Sequence, residues 1–124
     1  MRLWARLMER ARLERDGQIA FCCVSLEDLR QCQALKEDLE GFVEQLRRLA
    51  GVRVAALLRE DVPGSCRINL RSYGKTDVRS MAAELGGGGH RNAAGGSIRA
   101  TLEEGRKALL AVINSRLDDD DAES

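Results

Sequence analysis

A run of four glycines followed by a histidine is the segment of this sequence with the clearest chemical potential. Residues 85–96 read LGGGGHRNAAGG and contain His90, the single histidine of the chain. Glycine permits positive φ angles and close approach of the backbone to a ligand, so successive N–H groups can converge on an anion. The imidazole of His90, at the mouth of this loop, could donate a hydrogen bond to a phosphate oxygen. The pattern predicts an anion site, and a flexible linker is the alternative.

The residues around the glycine run favour a folded site over a linker. A linker does not need the mixed polar and apolar sequence that follows His90, and a helix starting at Ala93 and Ala94 would aim its N–H groups at the same anion. The run lacks the GK[ST] of a P-loop and does not fit the dinucleotide fingerprint GxGxxG after a strand. Arg71, on the polar side of an alternating segment, is a second candidate for phosphate, and a solvated strand arginine is its alternative.

The sequence predicts neither a metal site nor a catalytic residue in this chain. The four cysteines stand at positions 22, 23, 32 and 66 without a CxxC pair, and one histidine cannot complete a zinc site. Cys22 and Cys23 lie in an apolar run, which is typical of buried reduced thiols.

Composition predicts one cytoplasmic domain with no membrane span. The 124 residues fit a domain of ordinary size, and no apolar segment is long enough to cross a bilayer. The 20 basic and 20 acidic residues cancel, but five acidic residues lie in the segment 118–124. We therefore expect residues 118–124 to form a disordered acidic tail.

The periodicity of apolar residues predicts a single small α/β (α+β) domain, with a mixed β-sheet of about four to five strands covered by helices. Predicted helix starts are Ser25 with Asp28, Asp77, and Thr101 with Glu104. The predicted helices cover residues 2–14, a segment after Ser25, and residues 37–50, 78–85 and 102–117; the predicted strands cover residues 18–24, 52–58, 66–73 and 97–100.

Three segments together resemble the DHH-associated domain, the C-terminal part of DHH-family phosphoesterases. They are RINLRS at 67–72, Asp77-Val78, and the glycine-histidine segment 85–96. The family includes RecJ-like nucleases, nano-RNases that also dephosphorylate phosphoadenosine phosphate, and cyclic-dinucleotide phosphodiesterases. Upstream segments LEDL, DLEGFV and GVRVA resemble the nano-RNase branch. The chain departs from the family pattern at Glu44, where asparagine is common, and in its acidic tail.

The resemblance implies a division of labour between two domains. An N-terminal DHH domain, missing here, would hold a two-metal site, usually with Mn²⁺, for hydrolysis at phosphorus. Residues 1–117 would form the DHH-associated substrate- and nucleic-acid-binding domain, joined to that missing domain by a helix at 1–16. The residues implied to bind the substrate phosphate are Arg71, Ser72, Gly88, Gly89, His90 and Asn92.

The expected function is therefore the binding of an oligonucleotide or nucleotide phosphate, within a parent enzyme that hydrolyses short RNA or nucleotide phosphates. Expected partners are short RNA, single-stranded DNA or a phosphorylated nucleotide, the missing DHH domain, and a second copy in a homodimer. No membrane partner is expected. The alternatives are an independent enzyme and a stand-alone nucleic-acid-binding or dimerisation module like the C-terminal domain of alanyl-tRNA synthetase.

Overall fold

The computed structural model describes residues 2–123, whose backbone forms one β-sheet with helices on both faces. The helices are α1 (Arg2–Arg10), α2 (Leu26–Gln31), α3 (Phe42–Arg47), α4 (Val78–Glu84) and α5 (Leu102–Glu123), with a 3₁₀ helix at Lys36–Leu39. The strands are β1 (Arg12–Glu14), β2 (Ile19–Val24), β3 (Val54–Val62), β4 (Ser65–Ser72), β5 (Gly88–His90) and β6 (Ala93–Ile98).

The sheet is mixed, with strand order β1-β2-β3-β4-β6-β5. Strands β2 and β3 run parallel, and the other neighbouring pairs are antiparallel. The predicted α+β architecture is confirmed. The sheet has six strands rather than four to five, because a three-residue strand, β1 or β5, pairs at each edge.

Two apolar cores lie on opposite faces of the sheet, because side chains alternate along each strand. Helices α4 and α5 cover one face, with Ile113 and Leu117 among the fully buried side chains. Helices α1, α2 and α3 cover the other face over β2 and β3. Cys22 belongs to the second core and Cys23 packs against the first, as their adjacency in a strand predicts. Burial raises the pKa of the Cys22 thiol to about 12, which keeps it protonated.

The helix starts follow the predicted capping residues. The Ser25 hydroxyl accepts from the Asp28 N–H, and the Asp28 carboxylate accepts from the Ser25 N–H. Asp77 caps α4 through the N–H groups of the first turn. Thr101 and Glu104 form the same reciprocal pair of hydrogen bonds at the start of α5.

The predicted helix over residues 2–14 is wrong beyond Arg10, and so is its extension to a linking helix over 1–16; residue 1 lies outside the described residues. Arg12–Glu14 instead pairs antiparallel with Ile19–Phe21 of β2. A tight turn joins the two strands, with positive φ at Arg15 (53°), Asp16 (52°) and Gly17 (81°). Pairing with a neighbouring strand overrides the helical spacing of the apolar residues here.

Two other element boundaries also differ from the predictions. The helix predicted over 37–50 is divided by Gly41, whose φ of 87° ends the 3₁₀ helix before α3 begins. The strand predicted near 97–100 lies earlier, at Ala93–Ile98, where it pairs with β4 and β5.

The expected disordered tail is also corrected, because α5 continues to Glu123; residue 124 is outside the described range. Arg15 approaches Asp118 at 2.7 Å and Asp121 at 3.1 Å, and Arg53 approaches Asp121 at 3.0 Å. These arginines come from the β1–β2 turn and from the residue before β3. They offset the repulsion among neighbouring carboxylates, so the acidic turns stay helical.

None of the helices within residues 2–123 has the length and apolar character needed to span a bilayer.

Candidate anion-binding face of the sheet

One face of the sheet is left partly uncovered at the β4–β6–β5 end. The second core draws its strand residues from β2 and β3, and none from β4, β5 or β6 among the described residues. On the same face, the side chains of β4, β6 and β5 are half-buried or exposed. We call this region the open face; its residues are Arg67, Asn69, Arg71, Gly88, His90, Ala93, Gly95 and Ser97.

The strand register brings Arg71 and His90 to the same place on the open face. Ala93 of β6 is the register partner of Arg71 on one side and of His90 on the other. Directly paired residues in antiparallel strands project to the same face. With strands about 4.8 Å apart, the Cα atoms of Arg71 and His90 are roughly 10 Å from each other, within reach of one anion for these long side chains. The two main predicted site residues therefore lie on the same face, two strands apart, and their phosphate contacts stay predictions.

The glycine-histidine segment is an ordered edge strand with its turn fixed on both sides. The Val78 N–H donates to the Arg91 carbonyl at 2.8 Å, and the Ser72 N–H donates to the Asn92 carbonyl at 3.0 Å. The flexible-linker alternative does not describe this segment. The predicted helix start at Ala93–Ala94 is also wrong, because these residues lie in β6 and their backbone pairs with strands.

Several of the glycines are required by packing between β5 and β6. A Cβ on Gly87 would lie 2.3 Å from the Gly95 carbonyl oxygen, and one on Gly89 would lie 2.7 Å from the Ala93 carbonyl oxygen. Gly89 also has a φ of +141°, which side-chain-bearing residues rarely adopt. It pairs with Ala94 of the first core, so it faces away from the open face. Its predicted phosphate role is thus limited to its backbone.

Gly88 is the glycine of this segment that neither packing nor a positive φ explains. A Cβ added there would meet no atom within 4 Å, and its φ is not positive. Gly88 pairs with Gly95, which pairs with Asn69, so all three lie on the open face. Bare backbone beside Arg71 and His90 suits close approach of a ligand.

The side chains of Ser72 and Asn92 are engaged in hydrogen bonds at the loop after β4, and their phosphate contacts stay predictions. Ser72 follows Arg71 in the strand, so it points to the opposite face and has 0 % exposure. Its hydroxyl donates to the Thr76 carbonyl at 2.6 Å. The side-chain amide of Asn92 donates to the Ser72 hydroxyl at 3.0 Å and to the Gly74 carbonyl at 3.2 Å. Both residues hold the loop after β4 and support the site indirectly.

Arg71 already has an anionic partner within the chain. Its Nε donates to the Glu44 carboxylate of α3, and its Nη1 donates to the Leu70 carbonyl at 2.9 Å. The same carboxylate lies 2.6 Å from the Arg47 guanidinium. Glu44, the position that departs from the family pattern, is therefore part of the site's electrostatics.

Two connected cavities form a groove along the open face, called the open groove below. One has a volume of about 370 Å³ and is lined by Arg67, Asn69, Arg71 and Gly88, among others. The other, of about 270 Å³, shares Asn69 and Arg71 and extends to Arg59. A larger cleft of about 490 Å³ lies between α4 and the end of α5, but its acidic lining, including Asp77, Asp119 and Glu123, would repel a phosphate. The open groove is therefore the better anion site.

The predicted site residues Arg71, Gly88 and His90 lie on the open face, whereas Arg59 and Glu44, which line the groove or contact Arg71, were not among the predictions. Strand alternation carried part of the missing information, since adjacent residues of one strand cannot share a face. That rule separates Arg71 from Ser72 in the sequence alone. Glu44 had no such signal, because its contact depends on how α3 packs beside β4.

The two-metal centre is expected in a separate DHH domain. Across residues 2–123, His, Cys, Asp and Glu side chains form no group of three or more that could hold a metal ion. The residues present do not fit such a centre, so we assign no metal-dependent step to them.

Two relatives are about a third identical to this chain over the segments that align. The bifunctional oligoribonuclease and PAP phosphatase NrnA of Thermus thermophilus is 31% identical over 83 residues, which is 66% of this chain and 25% of that protein. An exopolyphosphatase-related protein from Bacteroides fragilis superposes with a TM-score of 0.84 at 32% identity, covering 92% of this chain and 34% of that one. The chain thus spans about a third or less of either relative.

A solved structure of lower identity resembles this chain in fold, and a protein family matches most of its length. The C-Ala domain of alanyl-tRNA synthetase from Aquifex aeolicus has a TM-score of 0.56 at 16% identity, covering 77% of this chain and 89% of that domain, a likeness of fold alone. The DHHA1 domain family matches residues 18–119. With most of its length matched, including every strand from β2 to β6, this chain belongs to the DHHA1 domain family.

Proposed function

We propose that this chain is the substrate-binding domain of a DHH-family phosphoesterase, and that its open groove binds the phosphate of a short oligonucleotide or phosphorylated nucleotide. The observation that carries the proposal is the register that sets Arg71 and His90 on either side of Ala93. This pair lies beside Gly88, a glycine with open space above it. A guanidinium, an imidazole N–H donor and bare backbone together suit a phosphate group.

Each of the three residues has a distinct part in the proposed binding. The guanidinium of Arg71 offers paired donors that match two phosphate oxygens, although Glu44 must share it or be displaced. The exposed imidazole of His90 donates a further hydrogen bond. Gly88 lets the phosphate or the sugar approach the strand backbone closely. None of these steps breaks a bond, so hydrolysis in the parent protein would depend on a separate domain.

The proposed parent activity follows two relatives that are 31% and 32% identical to this chain. One is named as an oligoribonuclease and PAP phosphatase, and the other as exopolyphosphatase-related. We propose that the parent protein hydrolyses short RNA or nucleotide phosphates, with Mn²⁺ in an upstream DHH domain. A cytoplasmic location and a homodimer stay predictions.

Calorimetric titration of the chain with adenosine monophosphate and with an adenylate pentanucleotide tests the proposal. Arg71→Gln and His90→Ala should each lower the affinity for both ligands about tenfold, since a hydrogen bond to a charged group contributes about 1.5–3 kcal/mol. Binding should weaken as salt rises, as phosphate contacts do.

The matched control is Arg106→Gln on α5. Arg106 pairs with Glu103 and lies on the side of the sheet away from the open face, so its loss should not change affinity. If wild type and the two site variants bind both ligands equally well, the site assignment fails.

A further inference from the structure

Two arginines face each other directly across β3 and β4, outside the site formed by Arg71 and His90. Arg59 of β3 and Arg67 of β4 are register partners, so their side chains project to the same face. Like charges at directly paired positions destabilise a sheet. An anion bound between the two guanidinium groups would relieve this repulsion.

The local partners do not fully neutralise this pair. The Arg59 guanidinium approaches Asp61 at 3.2 Å, and its side chain is only 14% exposed. The Arg67 guanidinium donates to the neutral Ser97 hydroxyl at 2.8 Å. Among the described residues, Asp61 pairs with Arg59, whereas Arg67 has a neutral hydroxyl as its partner and is exposed at the surface. The pair keeps a positive charge that is available to a ligand.

The pair is continuous with the proposed phosphate site along β4. Arg67, Asn69 and Arg71 alternate on the open face, and they face the small residues of β6 on the neighbouring strand. Arg67 and Arg71 both line the 370 Å³ cavity of the open groove. The β6 residues opposite them are Ala93, Gly95 and Ser97, whose small side chains leave room above the strand.

Other charges in the groove indicate the direction in which a ligand would run. Lys36, Glu37 and Glu40, in and just after the 3₁₀ helix, line the cavity that also contains Arg59, so two carboxylates outnumber one ammonium on this side of the groove. These carboxylates would repel a phosphate chain that extended toward that helix. The favourable path therefore follows β4 from Arg71 to Arg67.

The distance along this path exceeds what one phosphate group can bridge. Four residues of a strand separate the Cα atoms of Arg71 and Arg67 by about 13 Å. A mononucleotide phosphate held at Arg71 would leave Arg67 unoccupied. A single-stranded oligonucleotide could place successive phosphates along a positively charged groove of this kind.

We propose that Arg67 and Arg59 form a second anion subsite that binds an internal phosphodiester of a short single-stranded oligonucleotide. This inference rests on the proposed function, in which Arg71, Gly88 and His90 hold the terminal nucleotide. It makes the chain selective for oligonucleotides over mononucleotides. The subsite is a binding element and has no part in bond breaking.

Calorimetric titrations with adenosine monophosphate and with an adenylate pentanucleotide, at several salt concentrations, test the subsite in Arg67→Gln and Arg59→Gln. Arg67→Gln should leave mononucleotide affinity unchanged and lower pentanucleotide affinity about five- to tenfold. The slope of log affinity against log salt should fall by about 0.7 for the pentanucleotide, the value expected for one lost single-strand phosphate contact. Arg59→Gln should act in the same direction but less, because Asp61 already engages Arg59.

Two further variants separate binding from folding. Arg67→Lys keeps the charge and should retain most of the pentanucleotide affinity. Arg106→Gln removes one positive charge on the far side of the sheet and should change neither affinity. Thermal unfolding of Arg67→Gln should occur at or slightly above the wild-type temperature, because the side chain is exposed and its repulsion with Arg59 is removed.

Different results would contradict the second subsite and the proposed function. If Arg67→Gln lowers the affinity for both ligands equally, or for neither, the second subsite is wrong and the proposed site at Arg71 is not affected. If Arg71→Gln and His90→Ala bind both ligands as wild type does, the proposed function is wrong. If wild type binds neither ligand, both proposals are overturned.

Discussion

The Glu44 carboxylate adds a negative charge to the open groove at the point where it contacts Arg71. Its carboxylate accepts a hydrogen bond from Arg71 Nε and also pairs with Arg47. A phosphate that binds Arg71 therefore enters a place where a negative charge already lies. Two like charges about 4 Å apart repel by about 1 kcal/mol even at the dielectric constant of water.

Removing this charge should strengthen phosphate binding. We expect Glu44→Gln to raise the affinity for adenosine monophosphate about fivefold, because the glutamine keeps the shape of the side chain without the repulsion. The gain should shrink at high salt, where the interaction is screened. Titrations at low and high salt measure it, with Glu103→Gln on α5 as the control. A fall in affinity would mean that Glu44 orients Arg71 for binding and would contradict this prediction.

Two neighbouring glycines offer a matched test of packing against binding. Gly88→Ala should leave stability within about 0.5 kcal/mol of wild type or raise it slightly, since the added methyl group meets no atom within 4 Å. It should nevertheless weaken phosphate binding, because the methyl group projects from the open face. Gly87→Ala should cost about 1–3 kcal/mol, because its Cβ would lie 2.3 Å from the Gly95 carbonyl oxygen.

Urea denaturation and nucleotide titration of both glycine variants distinguish a role in packing from a role in binding. Stability losses of similar size would show that the whole glycine run serves packing. Wild-type affinity in Gly88→Ala would show that no ligand uses the space above that residue.

At the level of elements, predictions from the sequence succeed where the determining contacts are local. Ser25, Asp77 and Thr101 start helices through hydrogen bonds to residues two or three positions away, and these starts are confirmed. The two short edge strands are different. Arg12–Glu14 has helical spacing, yet its conformation is set by pairing with β2.

Strand β5 was not predicted because it has no apolar pattern to reveal it. Its residues Gly88–His90 are all exposed, and the strand exists because its backbone fits closely against β6. The acidic end of α5 was missed for a related reason. Negative charges disfavour a helix C-terminus, and the arginines that compensate them come from residues 15 and 53, far away in the sequence.

Across the whole molecule, helices cover the two faces of the sheet unequally. Both faces are packed over β2 and β3, whereas only the α4–α5 face is packed over β4, β6 and β5. The open face is thus the part of the sheet where a ligand, or another domain of a longer protein, can approach. The chain accounts for 25% and 34% of the two relatives that share about a third of their aligned residues with it, and this proportion supports the proposal that hydrolysis in a longer protein depends on a separate domain.

Arg10 of α1 pairs with Asp28 of α2, and this pair makes the stability of the fold depend on pH. Asp28 is buried, and its carboxylate accepts hydrogen bonds from the Arg10 guanidinium and from the Ser25 N–H. Burial alone would raise the pKa of Asp28, but these hydrogen bonds outweigh it and hold the pKa below its usual value. The folded state therefore binds this proton less readily than the unfolded state. The resulting stability is complete above about pH 4 and is lost as pH falls through the folded-state pKa.

Removing Arg10 should reduce the stability that the ionised Asp28 contributes, and this stability should be lost at a higher pH than in wild type. In Arg10→Gln the pKa of Asp28 should rise, so the loss of stability on acidification should begin at a higher pH than in wild type. At neutral pH we expect a loss of about 1–2 kcal/mol, toward the lower end for a charged hydrogen bond, because Arg10 is partly exposed and Arg6 still lies 3.8 Å from Asp28. Urea midpoints between about pH 3 and pH 7 measure the effect. Arg30→Gln, which removes an exposed pair with Glu27 on α2, should leave the pH profile unchanged, and an unchanged profile in Arg10→Gln would show that the Arg10–Asp28 pair does not set it.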